Sequence, residues 1–207
     1  MIKAVLFDMD GVLIDAREWH YEALNESLAL FGYKISLEAH ITTYDGLPTK
    51  KKLKLFSQIE GLPTGLHDLI NELKQIRTLA LSHAKCKPTF NHIQTLSSLK
   101  RLGYKTAVCS NSIRNTVETM MKLSRLEEFL DATYSNEDVS VPKPNPEIYL
   151  TAMEDLKIKP NETLILEDNM HGIKAAHDSG AHVMEIAQPA DVDFESIYTL
   201  IKELNRK

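Results

Sequence analysis

Short apolar runs with almost no polar alternation recur along this 207-residue chain: residues 3–7 (KAVLF), 105–109 (KTAVC), 163–166 (TLIL) and 182–186 (HVMEI), with a weaker one at 131–134. A strand with one wet face alternates apolar and polar residues; a run without alternation is covered on both faces. Amphipathic stretches lie between the runs. Residues 91–101 carry Ile93, Leu96 and Leu99 at helical spacing and stop near Gly103. Residues 113–123 carry Val117, Met120 and Met121, residues 146–156 open on Pro146, and residues 170–179 carry Ile173, Ala176 and His177 before Gly180. Alternating strand and helix implies an α/β fold: a doubly wound, parallel, Rossmann-like sheet with right-handed crossovers.

Residues 16–85 break this alternation. They contain no convincing strand, and their apolar positions recur at helical spacing in 19–30, 53–59 and 66–81, punctuated by Gly61 and Pro63. The expected organisation is an α/β core built from residues 1–15 and 86–207, with a small all-helical cap, residues 16–85, inserted after the first strand. Such an insert lies over the carboxyl ends of the strands, where open α/β sheets bind ligands.

Composition removes several alternatives. At 43% hydrophobic and 26% charged residues the chain is an ordinary globular one. A net charge of −5 argues against a broad nucleic-acid surface, though not against a local basic pocket. Cys86 and Cys109 form no C-x-x-C pair, so no metal or redox framework is expected from them. The first residues form a short apolar run broken by acids, unlike a signal peptide, and no stretch reaches the length of a membrane span. A cytoplasmic protein is expected, monomeric or a small homo-oligomer, without nucleic-acid or membrane partners.

The chemistry lies where the apolar runs end. Asp8 and Asp10 follow the first run in Asp-x-Asp-Gly, which brings two carboxylates to the sheet edge, and Gly11 permits an unusual turn. Close carboxylates repel unless a proton or a cation intervenes, and Mg²⁺ is a hard cation that takes oxygen ligands. Ser110-Asn111-Ser112 follows the second run and offers hydroxyl and N–H donors to an anion; alone, it reads as a helix cap. Lys143 lies in Val141-Pro142-Lys143-Pro144, a backbone of little freedom, where its ammonium could neutralise phosphate; alone, it reads as a surface lysine in a rigid turn. Glu167, Asp168 and Asn169 finish another run, adding two acids and a helix cap.

In that order FDMDGVLID, VCSNS, PKPNPEIY and LILEDNMHGIKAAHDSG resemble the four motifs of the haloacid dehalogenase superfamily, over most of the chain. The helical insert is similar to the cap of its phosphatase and β-phosphoglucomutase branch. The resemblance implies a Mg²⁺-dependent phosphatase acting on a small phosphorylated metabolite, such as a sugar phosphate, through an aspartyl-phosphate. By the same resemblance Asp8 is the nucleophile and Asp10 the acid/base. Mg²⁺ would be held by Asp8, the Asp10 carbonyl, Asp168 and Glu167, and the phosphoryl group by Ser110, Asn111 and Lys143. An acid at Asp10 fits phosphoryl transfer, since dehalogenating members lack it.

In the cap, His20 falls where relatives carry a histidine facing the acid/base, and the Tyr44-Asp45-Gly46 segment resembles their specificity loop. Relatives with mutase activity have an arginine just after that loop; here the stretch is Pro48-Thr49-Lys50-Lys51-Lys52, so Lys50 or a neighbour would substitute. Arg77 is near a second cationic cap position. Asn169 and Pro88-Thr89-Phe90 also depart from the usual pattern. A sugar-phosphate mutase and a non-catalytic binding protein on the same fold are the alternatives. The missing arginine favours hydrolysis, and the intact acid and lysine set favours catalysis.

Overall fold

A computed structural model describes residues 1–206. Five strands, β1 (Ala4–Phe7), β2 (Lys105–Cys109), β3 (Ala132–Tyr134), β4 (Thr163–Glu167) and β5 (His182–Glu185), form one sheet in the order β3-β2-β1-β4-β5. Every pairing is parallel. The α/β class with a helical insert after β1 is therefore what this chain adopts. β1 is the central strand, with β2 and β4 on either side. Its residues divide between two cores: Val5 and Phe7 pack into one layer and Leu6 into the other, all fully buried. That two-sided burial explains the lack of alternation.

Nine α-helical segments accompany the sheet among the described residues: α1 (Arg17–Ala29), α2 (Leu37–Ala39), α3 (Thr49–Glu60), α4 (His67–Lys85), α5 (Phe90–Arg101), α6 (Arg114–Leu123), α7 (Glu147–Leu156), α8 (Met170–Asp178) and α9 (Phe194–Arg206). α5, α6 and α9 cover the sheet face of Val5 and Phe7, while α7 and α8 cover that of Leu6. The helix α9, which the run-and-stretch pattern did not predict, buries Ile197 and Ile201 over that first layer.

Residues between β1 and α5 hold a core of their own. Leu24 and Leu28 of α1 meet Ile35, Tyr44, Leu53 and Phe56 of α3, Leu62, and Ile70 of α4. A π-helical turn, His40–Tyr44, continues directly from α2 and leads into the Gly46 loop. No helix among the described residues is long and apolar enough to cross a membrane.

Candidate active site

A parallel sheet brings all strand C-termini to one edge, and β1, β2 and β4 are adjacent. Phe7 is level with both Val108 and Leu166. Asp8 continues the ladder, its N–H donating to the Leu166 carbonyl at 2.9 Å; the Ser110 N–H donates likewise to Tyr134 at 2.9 Å. Asp8, Ser110 and Glu167-Asp168 therefore meet at neighbouring strand ends. Above them is a cavity of about 590 Å³, walled below by Asp8, Asp10, Ser110 and Lys143 and above by the Gly46 loop and cap lysines.

Lys143 is the centre of the floor. It is 2% exposed, and its Nζ donates to Asp8 Oδ1 at 2.7 Å, Glu167 Oε1 at 2.5 Å and the Cys109 carbonyl at 2.8 Å. The ammonium also lies over the Tyr149 ring, and the Tyr149 hydroxyl donates to Glu167. Burial opposes its charge, but Asp8 and Glu167 outweigh burial and hold the ammonium above its ordinary range. Asn111 fixes the lysine's backbone: its Oδ1 accepts from the Lys143 N–H at 3.1 Å, and its Nδ2 donates to the Gly46 carbonyl at 2.9 Å. One amide thus links β2, the lysine loop and the cap loop.

The two leading acids have opposite environments. Burial, reinforced by Glu167 and only partly countered by Lys143, pushes the Asp8 carboxyl well above the usual range. For Asp10, burial acts upward too, but His20, Ser112 and Lys74 prevail and hold it below that range. Asp10 Oδ1 lies 3.0 Å from His20 Nε2, and its Oδ2 accepts from the Ser112 hydroxyl at 3.1 Å. Burial lowers the His20 imidazole below its ordinary range, and its Nδ1 meets Lys74 Nζ at 3.1 Å. With Nδ1 toward Lys74, Nε2 faces Asp10.

Oxygens of Asp8, Glu167 and Asp168 lie within 4.8 Å of one another. Burial and then the Glu167 charge raise Asp168 to about 6. This all-oxygen donor set suits a hard divalent cation, which would relieve the mutual repulsion. Two glycines keep space for these acids. A Cβ on Gly11, at φ +89°, would lie 1.9 Å from Asp168 Oδ2, and one on Gly172 would lie 2.1 Å from the Glu167 carboxylate. The side-chain oxygens of Asp10 lie against His20 and Ser112, outside that cluster. Glu167 is fully buried, with Oε1 taken by Lys143 and Tyr149, and meets that cluster from beneath.

The cap residues singled out in the sequence lie in different places. His20 reaches Asp10, Gly46 and Lys50 line the cavity, and Gly46 holds φ +70°. Tyr44 does not line it: 2% exposed, it packs against Phe56 in the cap core. Arg77 points away and pairs with Glu22 and Glu26 of α1. Besides Lys50 and Lys51, the cavity is lined by two buried cap lysines, Lys52 of α3 and Lys74 of α4. Lys74 is three residues before Arg77, on the same side of α4 but nearer the strand ends, where it meets His20. Arg17 was also unmarked; it bridges Asp45 (3.2 Å) and Asp168 (2.9 Å). Asn169 caps α8, its Oδ1 accepting from the Gly172 N–H at 3.0 Å.

The chain has counterparts among known proteins. The sequence model of the haloacid dehalogenase-like hydrolases matches residues 5–186. The chain belongs to that family. Pyrophosphatase PpaX of Bacillus mycoides (strain KBAB4) is 28% identical over 199 residues, covering 90% of this chain and 84% of the relative. A probable pseudouridine-5′-phosphatase of Saccharomyces cerevisiae is 30% identical over 208 residues, covering 91% and 84%. The crystal structure of CbbY from Rhodobacter sphaeroides in complex with phosphate superposes with a TM-score of 0.80 at 26% identity, covering 89% and 86%. β-Phosphoglucomutase of Clostridium difficile shares the fold over all of both chains, with a TM-score of 0.86 at 19% identity. With these relatives, the chain is an enzyme of the phosphatase class.

Proposed function

We propose that this protein is a Mg²⁺-dependent phosphatase that hydrolyses a small phosphomonoester, such as a sugar phosphate, through an aspartyl-phosphate on Asp8. One observation carries the proposal: Asp8 gathers with Glu167, Asp168 and Lys143 on the cavity floor, while Asp10, two positions on, stands apart from them against His20 and Ser112. Two carboxylates in different surroundings at one site can divide nucleophilic and acid/base work. The phosphatase relatives, and the phosphate bound by CbbY, support the same reading.

Asp8 attacks phosphorus, the bond from phosphorus to the leaving oxygen breaks, and Asp10 in its protonated form gives that oxygen its proton. Water then attacks the phosphorus of the aspartyl-phosphate. Asp10 takes the water's proton, the bond between phosphorus and Asp8 breaks, and inorganic phosphate leaves. Lys143, the Ser110 hydroxyl and the Asn111 N–H stabilise the transferring oxygens. Mg²⁺, held by Asp8, Asp168 and the Asp10 carbonyl with Glu167 behind, would neutralise the repulsion between Asp8 and the phosphate. His20 orients Asp10, and the cap limits water at the site.

The test is a sugar-phosphate panel with Mg²⁺, with and without EDTA, on wild type and Asp8→Asn. Turnover should require Mg²⁺ and fall more than about a thousandfold in the variant. Acid-quenched wild type should carry a hydroxylamine-labile phosphoryl group on the peptide containing Asp8. Retained turnover in Asp8→Asn would overturn the assignment.

A further inference from the structure

Arg17 is the first residue of α1, where the chain crosses from core to cap, and its one guanidinium spans both. Its Nη2 donates to Asp168 Oδ2 at 2.9 Å, and its Nε lies 3.2 Å from Asp45 Oδ2. Asp168 follows β4 and belongs to the oxygen cluster with Asp8 and Glu167. Asp45 follows the π-helical turn and precedes Gly46, whose carbonyl accepts from Asn111. A guanidinium is a rigid fork that can hold two acids at once. Among the described residues, no other ion pair joins that oxygen cluster to the cap.

The two ends of the bridge are unequal. The Asp168 side chain is 3% exposed, that of Asp45 25% and that of Arg17 42%. Water screens the outer pair, so by itself it holds the loop weakly. The inner pair is dry and strong. A divalent cation on the oxygens of Asp8, Glu167 and Asp168 would draw on the same Asp168 charge that Arg17 uses. The guanidinium then keeps one acid, Asp45, which offsets its repulsion of the cation. Without Asp45, the whole guanidinium charge falls on Asp168 and opposes the cation.

We infer that Arg17 is a positioning residue that couples the cap loop to the metal acid Asp168. Asp45 in place favours the cation, and the cation favours Asp45 in place, because such a coupling is reciprocal. The loop at Asp45 and Gly46 is thereby ordered over the cavity when the acids beneath it are loaded. The inference rests on the Mg²⁺ part of the phosphatase reading and adds to it a residue that acts through Asp168.

The test reads both ends without turnover. Mg²⁺ is titrated into wild type, Asp45→Asn, Arg17→Met and the double variant, followed by calorimetry and by the emission of Trp19. That residue is the chain's one tryptophan, two positions after Arg17 on α1. Asp45→Asn should weaken Mg²⁺ binding about fivefold or more at low salt. In the Arg17→Met background the same change should cost less than about twofold, because the charge that Asp45 offsets is gone. A direct pull of Asp45 on Mg²⁺ would cost the same in both backgrounds. Arg17→Met alone should bind Mg²⁺ at least as tightly as wild type, whereas removing a merely structural arginine would weaken binding.

Hydrogen exchange reads the other end. Mg²⁺ should slow exchange of the backbone amides of residues 43–47 in wild type and in neither single variant. Equal effects of Asp45→Asn with and without Arg17, weaker Mg²⁺ binding in Arg17→Met, or loop exchange that ignores Mg²⁺ would each refute the coupling while the Mg²⁺ reading stands. If wild type binds no Mg²⁺ by either signal, the metal part of the phosphatase reading falls, and the coupling falls with it.

Discussion

Replacing Lys143 with methionine tests the site and the fold together. The lysine is 2% exposed, and its ammonium touches Asp8 and Glu167, themselves almost wholly buried. Methionine fills similar volume, so packing changes little and charge changes most. Removing one member of a buried ion network leaves the others unpaired, which costs about 3–5 kcal/mol. A chain of this size loses about 2–4 °C in Tm per kcal/mol, so the variant should melt about 6–20 °C lower. The loss should depend on pH. Burial and Glu167 already hold Asp8 well above its ordinary value, and without the ammonium it rises further. A group whose folded value is raised contributes stability that is full below its unfolded value and is lost as pH rises through the folded one. The deficit should therefore be smaller at pH 5 than at pH 8. Turnover should fall about 10²–10³-fold, the usual cost of one preorganised charged donor. Thermal melts from pH 5 to 8, with steady-state kinetics at pH 7.5, measure both. A variant melting within about 2 °C of wild type at pH 8 would refute the argument that this lysine holds the buried acids together.

Lys52→Met should show the opposite sign in stability. Lys52 is lowered from 10.5 to about 8, chiefly by burial, so its stabilising contribution is full above 10.5 and is lost as pH falls through 8. That interval corresponds to at most ~3 kcal/mol. The variant should melt higher than wild type at pH 7, with the gap narrowing toward pH 10; a pH-independent gap would count against a charged buried lysine. Gly46→Ala strains a position at φ +70° and brings a Cβ within 2.6 Å of Asn169 Oδ1. A left-handed alanine costs about 1–2 kcal/mol, and the displaced cap loop should raise KM several-fold. An unchanged KM would separate the loop from substrate binding.

The alternation of runs and amphipathic stretches was enough to place four strands to within a residue, because double-sided burial leaves an unmistakable apolar signature. The short β3 was the weaker reading, since Ala132 and Thr133 are only partly buried. α9 escaped because it lies beyond the last strand, where no alternation continued to announce it. Its apolar face is nonetheless strongly segregated, and a moment analysis of that tail would have found it. Three of the four motif segments were legible because each ends an apolar run and so must reach the same sheet edge; the Lys143 segment, in the loop between β3 and α7, was legible only from its order among them.

Cap chemistry was not legible in this way. Lys50, Lys51 and Lys52 are consecutive, yet only Lys52 turns inward and is buried. Tyr44 belongs to the specificity-loop segment in sequence, but its ring completes the cap core. Arg77 and Lys74 are both cations of α4 and both meet α1, but Lys74 does so through His20 beside the cavity and Arg77 farther along, through Glu22 and Glu26.

The sequence alone determined the α/β class, the helical insert, and Asp8, Asp10, Ser110, Lys143 and Asp168 as one constellation. The class and the insert follow from local periodicity, and the constellation from the order of the four motifs and the family they resemble. Tertiary structure alone decided that Lys143 holds Asp8 and Glu167 together, that Arg17 spans Asp45 and Asp168, and that Lys52 and Lys74 face the cavity unpaired. These depend on the phase of cap helices packed against distant segments, and a rotation of one residue, about 100°, exchanges a buried cation for a solvated one.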